Sequence, residues 1–215
     1  MRFNLTKDKA IGMASLLLLF ISLTTLLLLK ESNFGHTSIR VQDYLQPNME
    51  SAFLLFVVTT CWQNKGVLRP EEVIRLKRHR VIHHINLVVD VTGIVVLASV
   101  YWGVVALFSK HFILVDFLTF TFVYIINGIS IALIFDLLLY LFKYHGPLPF
   151  IICTAMVLIA TFTPAFHQGY LIKLNYLIAV DWTKANFGIK LLSSALIIFV
   201  MNAAASMQID SMDIR

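Results

Sequence analysis

Charge is what this chain has least of. Only 13% of its 215 residues are Asp, Glu, Lys or Arg, about half the ~25% of an ordinary soluble domain. That leaves too little charged surface to coat a soluble globule of this size. A hydrophobic share of 59% also excludes a disordered chain, which lacks the apolar residues to bury. Cysteine is nearly absent. Cys61 and Cys153 stand far apart in apolar stretches, with no C-x-x-C and no cluster of ligands around them. A disulfide scaffold and a zinc site are therefore set aside, and the two thiols read as core packing. No G-x-x-x-x-G-K-[ST], G-x-S-x-G or G-x-G-x-x-G occurs, so this chain carries no P-loop for ATP and no nucleophile elbow.

What the chain has in quantity is apolar length. The mean hydropathy is +0.82. At about 20 residues per crossing, the apolar content furnishes about six spans and leaves little for a soluble domain. The expectation is an all-α, polytopic membrane protein forming a single domain over 1–215. The apolar runs put spans at 10–29, 49–63, 81–108, 113–142, 148–166 and 189–205, of which 49–63 is the shortest. The first run is too long for a signal-peptide core and no A-x-A site follows it, so it reads as an uncleaved span. Tyr170 to Val180 is apolar but too short to cross, and suits a short exoplasmic helix lying in the interface. The tail from Ser206 onward reads as polar.

Basic residues orient the spans. Six of the 17 lie in QNKGVLRPEEVIRLKRHR, residues 63–80. Cytoplasmic segments carry such an excess, so 63–80 is placed inside. With the N-terminus also inside, eleven basic residues fall on the cytoplasmic side and six outside, which favours both termini cytoplasmic. The net charge of +5 is then a membrane-flank signal, and no nucleic-acid partner is expected. Pro70, Glu71 and Glu72 mark a helix start within the segment, because proline suits the first turn and acids complement the helix dipole.

Polar groups within the spans are the candidates for chemistry. Asp90, Asn127, Asp136 and Asn202 fall inside apolar runs, where ionisable side chains are expensive and functional by default. Asp90 and Asp136 both lie in the cytoplasmic half by the rise of about 1.5 Å per residue. They read either as a proton or ion relay or as helix-helix glue, and the absence of a span-buried base argues for glue. His79, His83 and His84 are weak metal candidates. His79 and His83 share a helix face, but Arg80 stands where a zinc protease has its Glu, and a cation beside a metal has the wrong sign. The three histidines read instead as a basic cluster facing anionic headgroups. Ser99/Gly103 and Gly128/Ala132 have the small-x-x-x-small spacing that lets helices approach closely.

Three stretches carry a resemblance. EEVIRLKRHRVIHHINLVVDVTGIVVLASVYW, from Glu71 to Trp102, is similar to the pattern of an arginine, aliphatics and further basics leading into a span in small bacterial ATP-binding-cassette permeases. The apolar Tyr170 to Val180 looks like the exoplasmic helix before their last span. The ending IDSMDIR is similar to their short polar tails. The chain thus resembles the permease subunit of a six-helix ABC exporter, of the bacteriocin or antibiotic-peptide export or immunity type. His79, His83 and His84 depart from that pattern. The resemblance implies a location in the bacterial cytoplasmic membrane, a second permease chain and a separate ABC ATPase subunit holding ATP and magnesium, with no cofactor in this chain. It implies that Val67, Leu68 and Ile74, with Glu71, Glu72, Arg75 and Lys77, form a coupling helix seated on that ATPase. Membrane lipids are the remaining partner. A non-catalytic assembly or immunity subunit, a proton-coupled carrier and a histidine-dependent membrane enzyme stand beside that reading.

Overall fold

The computed structural model describes residues 47–65, 79–108, 114–142, 147–162 and 187–211, together with Ser15, Leu18, Leu19, Ile21 and Ser22. Its five long elements are all helices: α1 (Pro47–Lys65), α2 (His79–Phe108), α3 (Leu114–Leu141), α4 (Leu148–Phe162) and α5 (Phe187–Ser211). Proline marks two of the starts. Pro47 opens α1, and Pro149 sits in the first turn of α4, where the missing N–H has no helical partner to lose.

Three stretches are long and apolar enough to cross a membrane: His83–Val104 of α2, Thr121–Leu141 of α3 and Leu191–Ile209 of α5. The chain is an all-α integral membrane protein. The apolar parts of α1 and α4, Ala52–Gln63 and Leu148–Ile159, are shorter than the ~20 residues of a full crossing. The expected runs 10–29 and 170–180 lie almost wholly outside the described residues, and the coupling segment lies outside them altogether. At the chain's end the structure differs from the reading of a polar tail. Helix α5 continues to Ser211, because Ala205 and Ile209, one turn apart, are fully buried against Tyr140.

Helix α3 is the axis of the bundle, packed against α5, α2, α1 and α4. Its core residues include Ile131, Ala132, Leu133 and Phe135, all at 1% exposure or less. Contacts at both ends give the directions. Phe53 of α1 meets Tyr101 near the end of α2, and Ile94 of α2 meets Gly128 of α3. Trp62 at the end of α1 meets Phe150 at the start of α4, while the ends of α3 and α5 meet at Tyr140 and Ile209. The helices therefore alternate in direction along the chain.

Two buried hydroxyls of the bundle are satisfied within their own helices. Thr60 Oγ1 donates to the Phe56 carbonyl at 2.8 Å and Ser130 Oγ to the Ile126 carbonyl at 2.9 Å, the i−4 back-bond that lets such residues sit where water is absent.

Among the described residues, only one of the two small-residue pairs meets another helix closely. Ser99 is exposed, and a Cβ on Gly103 would meet nothing within 4 Å. A Cβ on Gly128 would lie 2.7 Å from Ile94 Cγ2 and 3.5 Å from Phe53. At Gly128, α3 lies too close to Ile94 of α2 for a side chain to fit without a shift, with Phe53 of α1 also in contact distance. Gly128→Ala should destabilise the bundle by about 1–3 kcal/mol through overpacking. Adding Ile94→Ala should relieve part of that strain, and thermal unfolding in detergent of the single and double variants measures it. Additive effects would mean that the two residues do not meet.

Candidate functional site

Three helices bring one ionisable cluster together at the end of the bundle where α1 stops and α2 begins. Histidine 83 enters from the first turns of α2. On α3, Asp136 and Tyr140 are four residues apart and so share a face. Asn202 comes from α5. His83 is 0% exposed and Asp136 is 0% exposed. His83 Nε2 lies 3.0 Å from Asn202 Oδ1, and His83 Nδ1 lies 2.9 Å from the Tyr140 hydroxyl. The Tyr140 ring meets the imidazole edge-on at 78°.

These partners constrain the proton. A carboxamide oxygen only accepts, so Nε2 carries its hydrogen and donates to Asn202. Nδ1 is left with two states. As a bare nitrogen it accepts the Tyr140 O–H. As N–H it donates to the tyrosine oxygen and faces Asp136, whose Oδ2 lies 3.7 Å away. That distance is beyond a hydrogen bond but close enough for an ion pair. One proton at Nδ1 therefore reverses the Tyr140 bond and turns a neutral imidazole into the counter-ion of Asp136.

The adjacent histidine goes elsewhere. A helix turns 100° per residue, so His83 faces inward while His84 is exposed, its ring centroid 5.7 Å from that of His83. The expectation of one headgroup-facing histidine cluster is corrected here. His83 belongs to the core and His84 faces out, while the side chain of His79 lies outside what is described. Both nitrogens of His83 already have protein partners. Among the described residues no group of three His, Cys, Asp or Glu side chains is placed to hold a metal ion.

Of the intramembrane residues singled out in the sequence, Asp136 and Asn202 are joined through His83. Asp90 is buried at 2% on the same face of α2, seven residues or about 10 Å further along the helix. Asn127 is buried at 6% and lies nine residues, about 13 Å, before Asp136 on α3. The span-buried base that a relay requires is present after all. Tyr140 escaped the sequence reading, although its i+4 spacing from Asp136 was a usable signal. The coupling-helix residues Val67, Leu68, Glu71, Glu72, Ile74, Arg75 and Lys77 lie outside the described residues.

The opposite end of the bundle is aromatic. Tyr101 and Tyr124 stack at 5.2 Å, Trp102 meets Tyr124 edge-on at 5.3 Å, and Phe53 closes on Tyr124 at 5.0 Å. One end of the bundle is thus held by ring packing and the other by a titratable polar junction. No family model, curated protein or solved structure matches the chain.

Proposed function

We propose that this chain is a membrane transport subunit whose helix arrangement responds to a proton held at His83. The observation that carries this reading is the junction itself. A fully buried imidazole at the meeting of three helices has Tyr140 and Asn202 within 3.0 Å and Asp136 at 3.7 Å. Intramembrane ionisable groups are costly to insert, and their ordinary use is in ion and proton pathways. Two hydrogen-bond patterns at one nitrogen give α2 and α3 two discrete ways to meet, which is what a gating element needs. The titratable groups around His83 are Asp136 and Tyr140 on α3, and His84 and Asp90 on its own helix.

The test places spin labels at Val88→Cys on α2 and Phe199→Cys on α5, both exposed positions, with Cys61 and Cys153 replaced by alanine. The interlabel distance should change between alkaline and acid pH, as His83 takes up its proton. It should stay fixed over the same range in His83→Gln. A pH-independent distance in the unsubstituted bundle would reject the proposal.

A second reading is the ABC exporter permease subunit. It is supported by the alternation of the helices, which puts the end of α1 and the start of α2, between which the basic segment lies in sequence, at the same end as the His83 junction. In that reading the segment docks on an ATPase subunit holding ATP and magnesium. A second permease chain completes the path, both termini are cytoplasmic, and the complex sits in a bacterial cytoplasmic membrane. Retention of a P-loop ATPase with the tagged chain in mild detergent is its test.

A further inference from the structure

Tyr140 touches two helices at once. Its hydroxyl lies 2.9 Å from His83 Nδ1 on α2, and its ring meets that imidazole edge-on. The ring also forms one buried cluster with Ala205 and Ile209 of α5. All three residues are 0% exposed. The side chain therefore fills the space between the junction and the last turns of α5. A close-packed interior leaves no slack around a ring, so any displacement of Tyr140 is passed to Ala205 and Ile209.

A proton at His83 supplies the displacement. With Nδ1 bare, the Tyr140 O–H donates to it and holds the ring toward α2. With Nδ1 protonated, its N–H has two acceptors in view, the tyrosine oxygen at 2.9 Å and Asp136 Oδ2 at 3.7 Å. A bond between an imidazolium and a carboxylate is about twice as strong as one between neutral groups. His83 and Asp136 are both 0% exposed, so water does little to weaken their attraction. The Nδ1–H is drawn toward Asp136 by about 0.9 Å, from 3.7 Å to the ~2.8 Å of a charge-assisted bond, and Tyr140 is released toward α5.

The other bond of His83 stays as it is. Nε2 donates to Asn202 Oδ1 at 3.0 Å in both states. Helix α5 is thus tethered at Asn202 while Tyr140 bears on it at 205 and 209. Before Asn202, at Leu191, Ala195 and Phe199, α5 borders an apolar groove shared with α2 and α3, which leaves that half room to follow a tilt.

We infer that Tyr140 transmits the protonation of His83 to the C-terminal turns of α5 and tilts that helix about Asn202. This transmission rests on the proton response proposed above for His83. Among the side chains described, the titratable groups near His83 are Asp136 and Tyr140 on α3 and His84 and Asp90 on its own helix. Helix α5 presents the neutral Asn202, and α1 has only Cys61, which is packed in the apolar core.

The experiment uses the full chain in lipid nanodiscs, with Cys61 and Cys153 replaced by alanine and a reference spin label at Val88→Cys. The second label is Phe199→Cys or Met207→Cys, both exposed on α5, three residues before and five after Asn202. NMR of isotope-labelled histidine, with His83 assigned through His83→Gln, follows the proton itself. As His83 titrates, the distance change at 207 should exceed that at 199 by about 1.7-fold, the ratio of the two lengths of helix on either side of Asn202. In Tyr140→Phe the ring has no bond to give up. The 207 distance should then sit at its acid value at every pH, while His83 still titrates. Ile209→Ala keeps the hydroxyl but opens the contact on α5. It should damp the change at 207 and leave the titration of His83 in place, which keeps the test decisive if Tyr140→Phe does not fold. Equal changes at 199 and 207, or a 207 response that survives in Tyr140→Phe, would overturn the role of Tyr140 and leave the gating reading standing. If His83 titrates and neither distance moves, both fall.

Discussion

Replacing His83 with alanine should lower the stability of the bundle by about 3 kcal/mol, while His84→Ala should stay within about 0.5 kcal/mol. The two residues are chemically identical and adjacent, so the contrast isolates environment. His83→Ala removes the partner of the Tyr140 hydroxyl and of Asn202 Oδ1. Interhelical hydrogen bonds within membranes average about 0.6 kcal/mol and reach about 1.7, which accounts for part of the loss. The remainder comes from Asp136. With the imidazole gone, a carboxyl at 0% exposure loses the ionisable neighbour 3.7 Å away, and breaking a buried pair by removing one member is the expensive direction. His84 is exposed, and its loss leaves no buried group behind. Unfolding of both variants in detergent, followed by circular dichroism, is the measurement. Equal effects would mean that the junction does not hold the helices together.

Trp102→Ala should cost about 3–5 kcal/mol, the range for truncating a large buried aromatic. Trp102 is 1% exposed and wedged against Tyr101 and Tyr124 at 5.4 and 5.3 Å. In a bilayer little of this is a transfer effect, because lipid tails are as apolar as the core. The loss is of dispersion contacts around a void closed by α1, α2 and α3. Leu107→Ala, on the same helix at 84% exposure, should leave thermal unfolding nearly unchanged. Function should separate the two buried sites. Trp102→Ala, at the aromatic end, should lower the melting temperature while keeping the pH response of the spin labels. His83→Gln should abolish that response.

The two ends also differ in how legible they were. Apolar run length located α2, α3 and α5 to within a few residues, because desolvating a backbone in a bilayer leaves helix as the open form for a long apolar segment. At α4 the expected span runs to residue 166, and its last four residues lie outside the described ones, which end there at Phe162. The same rule stopped short at the C-terminus, where the polar composition of the tail hid the inward pair Ala205 and Ile209.

Within the candidate site, Asp90, Asn127, Asp136 and Asn202 could be singled out from sequence because a polar residue inside an apolar run is conspicuous. Their partners could not. His83 and His84 are indistinguishable in a string, and which of them faces the core is a matter of 100° of helix rotation. The distances in the His83 junction depend on register between segments more than fifty residues apart. The closeness of Gly128 to Ile94 likewise depends on how α2 and α3 meet, which the spacing shared by Ser99/Gly103 and Gly128/Ala132 left undecided.

Composition and apolar length by themselves determined the class of this protein: helical, membrane-embedded, without a P-loop of its own and with few charges to place. These follow from a one-dimensional balance between apolar transfer and backbone hydrogen bonding, which each segment settles alone. Only the tertiary structure decided that His83 sits 3.7 Å from Asp136 and that Tyr140 and Asn202 complete the junction. Those facts depend on which helix faces meet, and packing, not the local sequence, selects the rotation and offset at which they do.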